Sequence, residues 1–200
     1  TTAATVTTTK ADPPSDLIMN CMDIVEAGAD IIECNTFGAN KISQREYGLI
    51  DYVKKMNKTA VKNAKEMAQK YSTPDKPRFV AGSFGPTGKT ASISPDVENP
   101  SFRDITFDDL VEAYREQAEV FVEENVDILL VETIFDTLNA KAAIYAIKQV
   151  LTEKNKDIPI MISATLTDKS GRTLSGQTLE AFYYSIEYAK PLAVGINCAM

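Results

Sequence analysis

The sequence predicts an α/β fold with a parallel sheet, and three features of its 200 residues support this fold class. Five short apolar segments, typical of strands, begin near residues 29, 78, 126, 158 and 192. Segments with apolar residues at every third or fourth position, typical of amphipathic helices, alternate with them. The third strand is almost wholly apolar, as expected for a parallel strand that is covered on both faces. Such alternation implies right-handed crossovers between parallel strands.

The helices between these strands are predicted from their ends and their apolar stripes. A first helix ends at Gly28, because glycine readily takes the left-handed conformation that closes helices. A later helix begins at Thr106, where Asp109 supplies the acid of a capping box. Two more helices precede the fourth and fifth strands. The long helix before the second strand has an apolar stripe made of Leu49, Val53, Met56, Ala60, Ala64, Met67 and Tyr71. The predicted strands are 29–36, 78–84, 126–133, 158–165 and 192–198.

Polar residues at the end of every predicted strand favour a (βα)8 TIM barrel, because its strand ends and loops build one shared mouth. An open α/β sheet is the alternative, although no G-x-G-x-x-G fingerprint follows the first strand. A complete barrel needs about 250 residues. We therefore expect a partial barrel with about strands 2–6, the first strand and the last two strands missing. The polar strand ends are Glu33 to Thr36, Ser83, Glu132 and Thr133, Ser163 and Thr165, and Asn197 and Cys198.

The first 16 residues, TTAATVTTTKADPPSD, are rich in threonine, contain a proline pair and show no periodicity. They are interpreted as a disordered or unrelated leader, and residues 17–200 as the incomplete barrel domain. The segment 87–105, which has two prolines and no period, is predicted to be a long loop of functional or disordered character.

Composition excludes several classes of function. The chain has no histidine, which rules out a Ser-His-Asp triad, an imidazole base and a histidine-ligated zinc. A net charge of −7 argues against nucleic-acid binding, which needs clustered lysine and arginine. No apolar run approaches the roughly 20 residues of a membrane span, so no membrane partner is expected. Three widely spaced cysteines fit reduced thiols, and a cytoplasmic location is expected.

Two strand-end residues are candidates for chemistry, and each has a structural alternative. Glu132 ends an apolar strand, where a carboxylate needs a cation or hydrogen-bond donors. It either binds a substrate ammonium group or forms a buried ion pair with a neighbouring lysine or arginine, and for Glu33 the ion pair is favoured. Cys198 ends the fifth strand, although most cysteines in strands are small core residues. Cys21 and Cys34 are interpreted as packing residues.

Five segments together resemble the N-terminal homocysteine-binding domain of cobalamin-dependent methionine synthases, in the homocysteine S-methyltransferase superfamily. The stretches TASISPDV and SGRTLSGQT are the most specific, and they favour this enzyme over simpler homocysteine or betaine–homocysteine methyltransferases. The similarity covers residues 22–200 approximately and does not extend to 1–16. The segments are ADIIECNTFGA, GSFGPTGKTASISPDVENPSFRDITFDDL, VDILLVETIFDTLNAKAA, MISATLTDKSGRTLSGQTLEAF and AKPLAVGINCAM.

The resemblance implies roles for individual residues. The family holds zinc with three cysteine thiolates, of which the one in an Asn-Cys motif corresponds to Cys198. The other two would lie beyond Met200. Glu132 corresponds to the glutamate that binds the substrate amino group. Polar lining of the substrate pocket is expected from Asn35, Ser83, Thr133 and Asn197.

The implied function is activation of the homocysteine thiol by Zn²⁺ for methyl transfer from methylcobalamin, which gives methionine. The partners would be homocysteine and the cobalamin-binding and folate-binding modules of a parent chain, and the fragment alone is expected to be inactive. Two alternatives remain from the residues themselves: another barrel enzyme, such as a lyase with Glu132 as base, or a vestigial module that binds without catalysis.

Overall fold

The computed structural model of the chain describes residues 23–167 and 169–199. The leader 1–16 and Cys21 lie outside the described residues, so the domain boundary at residue 17 stays a prediction. The described chain begins with a helical turn over 23–26 that ends at Gly28, whose φ of 103° confirms the predicted left-handed helix end.

Five parallel strands form one sheet in the order β1-β2-β3-β4-β5, which is also their order in the sequence. This arrangement confirms the predicted α/β fold and is that of consecutive strands in a TIM barrel. The strands are β1 (Ile31–Glu33), β2 (Phe79–Phe84), β3 (Ile128–Ile134), β4 (Ile160–Ala164) and β5 (Ala193–Ile196). The helices are α1 (Lys41–Arg45), α2 (Val53–Tyr71), α3 (Phe107–Glu123), α4 (Thr137–Glu153) and α5 (Leu179–Ile186), with 3-10 turns at Ile50–Tyr52 and Glu187–Ala189.

The two faces of the sheet have different neighbours. A Cβ on Gly82 of β2 would lie 2.6 Å from the ring of Phe121 on α3, so this position needs glycine for strand and helix to approach closely. Because side chains alternate along a strand, Ser83 points to the opposite face. On that face Leu130 and Met161 are half-buried, whereas the helix face carries the fully buried Leu129 and Ile162. The core therefore lies between the sheet and its helices.

The stripe predicted for α2 is displaced by about one position from the buried face. Val53 and Ala64 are buried as expected, but Met56 and Met67 are only half-buried. Asn57, which is not part of the predicted apolar stripe, is fully buried. The buried face therefore includes a polar side chain whose amide donates hydrogen bonds to backbone carbonyls, which an apolar pattern does not predict. The remaining buried residues of the helix are Val61 and Ala68.

The capping box predicted at the start of α3 is confirmed. The Thr106 hydroxyl accepts from the Asp109 backbone N–H at 3.1 Å, and the Asp109 carboxylate accepts from the Thr106 backbone N–H at 3.0 Å. Each side chain thereby pairs a backbone donor that the first helical turn leaves open. The Thr106 hydroxyl also donates to the Asp109 carboxylate at 2.5 Å. This hydrogen bond, together with the one from the Thr106 backbone N–H, favours the ionised carboxylate and lowers the pKa of Asp109 below its ordinary value.

The outer side of β5 pairs with no other strand within 23–167 and 169–199, and apolar side chains are exposed beside it. Leu192 precedes the strand and Ile196 ends it, while Tyr183 and Tyr184 project from α5. No helix within the described ranges is long and apolar enough to cross a lipid bilayer.

Candidate active site

Glu132 is a nearly buried carboxylate on β3, with 3% of its surface exposed. The Ser83 hydroxyl on β2 donates to its Oε1. The Asn197 amide donates to Oε2 at 3.1 Å, and the Thr133 hydroxyl lies 3.3 Å from the same oxygen. Each contact is to a neutral group, and no lysine or arginine pairs with Glu132 among the described residues. The structural alternative of a buried ion pair is therefore not found there.

Asn197 connects three strands at this edge of the sheet. Its Nδ2 donates to the Thr133 hydroxyl at 2.6 Å as well as to Glu132, and its Oδ1 accepts from the Thr133 backbone N–H at 3.0 Å. The Ser163 hydroxyl on β4 donates to the same Oδ1 at 2.9 Å. All polar atoms of this amide are thus used to join the ends of β3, β4 and β5.

The backbone at this edge is irregular at two positions. The β3–β4 register shifts between Val131 and Ile134, and Thr133 within this bulge has a φ of 56°. A β-branched residue in the left-handed region is strained, and bulges of this kind redirect side chains beside active sites. Cys198 also has a positive φ, 48°, and the Thr165 hydroxyl donates to its carbonyl at 3.0 Å. Both strained residues border Asn197.

Cys198 has an exposed side chain, and its Sγ lies 3.8 Å from the Asn197 Nδ2 that also contacts Glu132. The structure therefore brings together Ser83, Glu132, Thr133, Asn197 and Cys198.

Asn35 does not join this cluster. It is exposed at the turn after β1, and no hydrogen bond links it to Glu132 within the part of the chain that the structure describes. Thr36, the next residue, is buried instead, and its hydroxyl donates to the Ser83 carbonyl at 2.8 Å. The place of Asn35 in a substrate pocket stays a prediction.

Sequence reasoning did not assign a role to Asp136, which organises the long loop 87–105. Its carboxylate is buried and accepts from the backbone N–H groups of Ala91 at 2.8 Å and Ser92 at 2.9 Å. It also caps α4 by accepting from the Leu138 N–H at 2.9 Å. The sequence signal was an aspartate directly before a helix, although the spacing does not reveal that it also holds a loop 45 residues away.

Further contacts anchor the same loop at both ends. The Asn139 amide on α4 donates to the Lys89 carbonyl at 2.6 Å. The Arg103 guanidinium donates to the carbonyls of Ala91 at 3.1 Å and Ser92 at 3.0 Å. The loop is thus tied to the start of α4, beside the strand end that carries Glu132.

Tyr114 on α3 lies beneath this region, completely buried, and its hydroxyl donates to the Gly85 carbonyl at 3.2 Å. Burial, with a smaller contribution from the Asp136 carboxylate, raises the pKa of Tyr114 well above its ordinary value. The tyrosine therefore serves as a neutral hydrogen-bond donor and does not supply a base.

Comparison with known protein families assigns the chain to one of them. A model of the family described as homocysteine S-methyltransferase matches residues 5–200, nearly the whole sequence. The chain belongs to the homocysteine S-methyltransferase family. The superfamily that the sequence motifs indicated is thereby confirmed.

The fold of this chain is similar to that of solved structures of another homocysteine methyltransferase. The metallated form of the homocysteine methyltransferase MmuM from Escherichia coli superposes with a TM-score of 0.73 at 22% identity. That match covers 94% of this chain and 64% of MmuM. The oxidised form of MmuM gives a TM-score of 0.71 at 23% identity, with 92% and 62% covered. The chain therefore spans slightly less than two thirds of the MmuM chain.

The family resemblance implies a metal ion, and the described residues offer few ligands for it. Within the described ranges, no group of three or more cysteine, aspartate or glutamate side chains is placed to hold a metal ion. Cys198 offers a single exposed thiol, whereas Cys34 is buried in the core and Cys21 lies outside the described residues. Three protein ligands are the minimum for tight zinc sites. The described residues therefore do not complete a zinc site by themselves.

Proposed function

We propose that this chain forms part of an enzyme that methylates the thiol of homocysteine to give methionine. The observation that carries the proposal is the position of Asn197, whose amide contacts both the buried Glu132 carboxylate and the Cys198 sulfur. One amino acid with an ammonium group and a thiol has the chemistry to meet these two groups. Membership of the homocysteine S-methyltransferase family supports this substrate.

Glu132 is proposed to bind the ammonium group of homocysteine. Its oxygens already accept from Ser83, Asn197 and Thr133, and these donors fix the orientation of the carboxylate. A charge-assisted hydrogen bond to a preoriented carboxylate is stronger than a neutral one and sets the direction of the substrate. The neutral surroundings leave the negative charge available for a cationic partner.

Cys198 is proposed to be one ligand of a zinc ion whose other ligands lie outside the described residues. Bound zinc would deprotonate the substrate thiol, which at neutral pH is otherwise mostly protonated. The exposure of Cys198 and the polar contacts of its neighbour Asn197 are compatible with a ligand at an open site. Zinc as the metal and Cys198 as its ligand both follow from the resemblance.

Methylcobalamin is proposed as the methyl donor, carried on a cobalamin-binding module of the parent chain, with a folate-binding module to supply new methyl groups. The support is the pair of motifs TASISPDV and SGRTLSGQT. The first lies in the loop that Asp136 and Asn139 hold beside Glu132. The second follows β4, where Ser175 N–H donates to the Phe135 carbonyl at 3.2 Å. A cytoplasmic location stays an expectation.

The experiment is a methionine-formation assay with the complete gene product, homocysteine and either methylcobalamin or a sulfonium methyl donor. Methionine formed from methylcobalamin supports the full proposal. Methionine formed only from the sulfonium donor would keep the substrate and reject cobalamin. No methionine with either donor, from protein that is folded and loaded with zinc, would reject the proposed activity and favour a lyase or a binding module.

A further inference from the structure

We propose that Gln117 and Asn57, two buried amides in the helix layer, are positioning residues that orient Glu132 through Thr36 and Ser83. The inference rests on the proposed function, because it assumes that Glu132 binds the substrate ammonium group. Neither amide touches the site itself, and both side chains are completely buried.

The chain of contacts begins on α2. The Asn57 Nδ2 donates to the Ala39 carbonyl at 2.7 Å and to the Val53 carbonyl at 2.8 Å. On α3, the Gln117 Nε2 donates to the Asn57 Oδ1 at 3.2 Å and to the Thr36 carbonyl at 3.1 Å. The two helices therefore hold both ends of the turn from Thr36 to Ala39.

The turn from Thr36 to Ala39 fixes the end of β2. The Thr36 hydroxyl donates to the Ser83 carbonyl at 2.8 Å and accepts from the Ser83 backbone N–H at 3.2 Å. A single side chain thus holds both backbone groups of Ser83. Ser83 then donates from its own hydroxyl to Oε1 of Glu132. Every step of this path is a direct hydrogen bond, and Thr36, Ser83 and Glu132 are all buried.

Packing alone does not explain an amide at the Gln117 position. Its neighbours on the buried face of α3 are Tyr114, Ala118 and Phe121, so an apolar side chain would fit the pattern. The Gln117 Oε1 has no hydrogen-bond partner among the described residues, and an unpaired buried acceptor is destabilising. The Gln117 Nε2 pairs two buried acceptors, the Thr36 carbonyl and the Asn57 Oδ1, which an apolar residue would leave unpaired. The hydrogen bond to Thr36 gives the amide a use at the site.

The test is steady-state kinetics of the complete enzyme with homocysteine as the varied substrate. Gln117→Met keeps the length of the side chain and removes the amide. We expect KM for homocysteine to rise about tenfold, by analogy with the roughly 10- to 100-fold losses seen when the hydrogen-bond partner of a metal-ligating side chain is removed. We expect kcat to stay nearly unchanged, because the interaction acts in binding.

Two further variants separate positioning from stability. Leu110→Ala removes a fully buried apolar side chain from the same helix and should lower stability without raising KM. Gln117→Met combined with Ser83→Ala should have the KM of Ser83→Ala alone, since both changes interrupt one path. Additive effects on KM would overturn the proposed path.

A second pair keeps the test decisive if Gln117→Met does not fold. Thr36→Val removes the hydroxyl and preserves the shape, whereas Thr36→Ser retains the hydroxyl. We expect KM to rise for the valine variant and to remain near the native value for the serine variant. Glu132→Gln is measured alongside. If Glu132→Gln raises KM while Gln117→Met and Thr36→Val do not, the positioning inference alone is wrong. If Glu132→Gln leaves KM unchanged, the binding role of Glu132 is wrong and the inference fails with it.

Discussion

Asn197 donates a hydrogen bond to Glu132 across the width of two strand spacings, from the end of β5 to β3, at 3.1 Å. The intervening strand β4 joins the same amide through Ser163. A substitution at one of these strand ends is therefore expected to alter the hydrogen bonds at the other two, because the single Asn197 side chain joins all three.

Glu132→Gln is expected to weaken homocysteine binding by about 1–3 kcal/mol, the range for loss of a hydrogen bond to a charged group. Glutamine retains an oxygen that accepts from Ser83 but has no charge for the substrate ammonium group. The measurement is isothermal titration of the complete protein with homocysteine. Unchanged affinity would assign Glu132 a purely structural role.

Asn197→Ala is expected to lower the free energy of unfolding by about 1–3 kcal/mol, because it removes one hydrogen-bond donor from the buried Glu132 and leaves the Thr133 backbone N–H without its acceptor. Asn35→Ala is the matched control: this asparagine is exposed, and its loss is expected to change stability by less than about 0.5 kcal/mol. Urea unfolding of both variants gives the comparison. Equal effects would contradict the connecting role of Asn197.

Cys198→Ala is expected to remove zinc from the complete protein, whereas Cys34→Ala, a change in the core, is expected to retain it. The 200-residue chain alone should bind zinc weakly, because one thiolate is too few for a tight site. Metal analysis after dialysis measures the three samples. Stoichiometric zinc on the short chain would place the ligands elsewhere, and zinc retained by the Cys198 variant would reject this cysteine as a ligand.

Asp136→Asn is expected to loosen the loop 87–105, since the amide nitrogen that replaces one carboxylate oxygen cannot accept from a backbone N–H. The loop contains Lys89 and Arg103, at which trypsin cleaves, so limited proteolysis reports its opening. We expect faster cleavage in the variant and a loss of about 1–3 kcal/mol in stability. Asp75→Asn, an exposed change away from the loop, is the control. Native resistance in the Asp136 variant would show that Asn139 and Arg103 suffice.

The capping box predicts a dependence of stability on pH. The folded pKa of Asp109 is lowered, so its contribution is fully present above the unfolded pKa of about 3.9 and is lost as pH falls through the folded pKa. Asp109→Asn should therefore be less stable than the native chain at pH 6, and the difference should shrink below about pH 4. Urea unfolding across this range measures it. Asp108→Asn, outside the box, should show a smaller difference at pH 6.

The sequence predicted the fold well because its signals were local. Apolar segments located all five strands, and the short motif at Thr106 and Asp109 located a helix start to the residue. Glu132, Ser83, Thr133 and Asn197 were expected at the site because parallel strands end at one edge. Their mutual contacts follow from that geometry.

The parts that sequence reasoning missed depend on contacts between distant residues. Asn57 and Gln117 are 60 positions apart and meet only because α2 and α3 pack side by side. Sequence reasoning selected Asn35 as a site residue and not its neighbour Thr36. The alternation of side chains along a strand does not predict which side chain of the following turn points inward. The left-handed conformation of Thr133 has no local signal, since β-branched residues rarely adopt it.

The two chemical groups of the candidate site, the Glu132 carboxylate and the Cys198 thiol, lie on strands with different numbers of paired neighbours. Glu132 is on β3, which pairs with a strand on each side, whereas Cys198 follows β5, which within the described residues pairs only with β4. In the 200-residue chain by itself, amide hydrogens of β5 should therefore exchange with solvent faster than those of β3, because local opening of a strand that is paired on one side breaks fewer contacts. In the complete protein, a substrate that bridges Glu132 and Cys198 would join the ends of β3 and β5, so slower amide exchange in both strands on addition of homocysteine would report occupancy of the site.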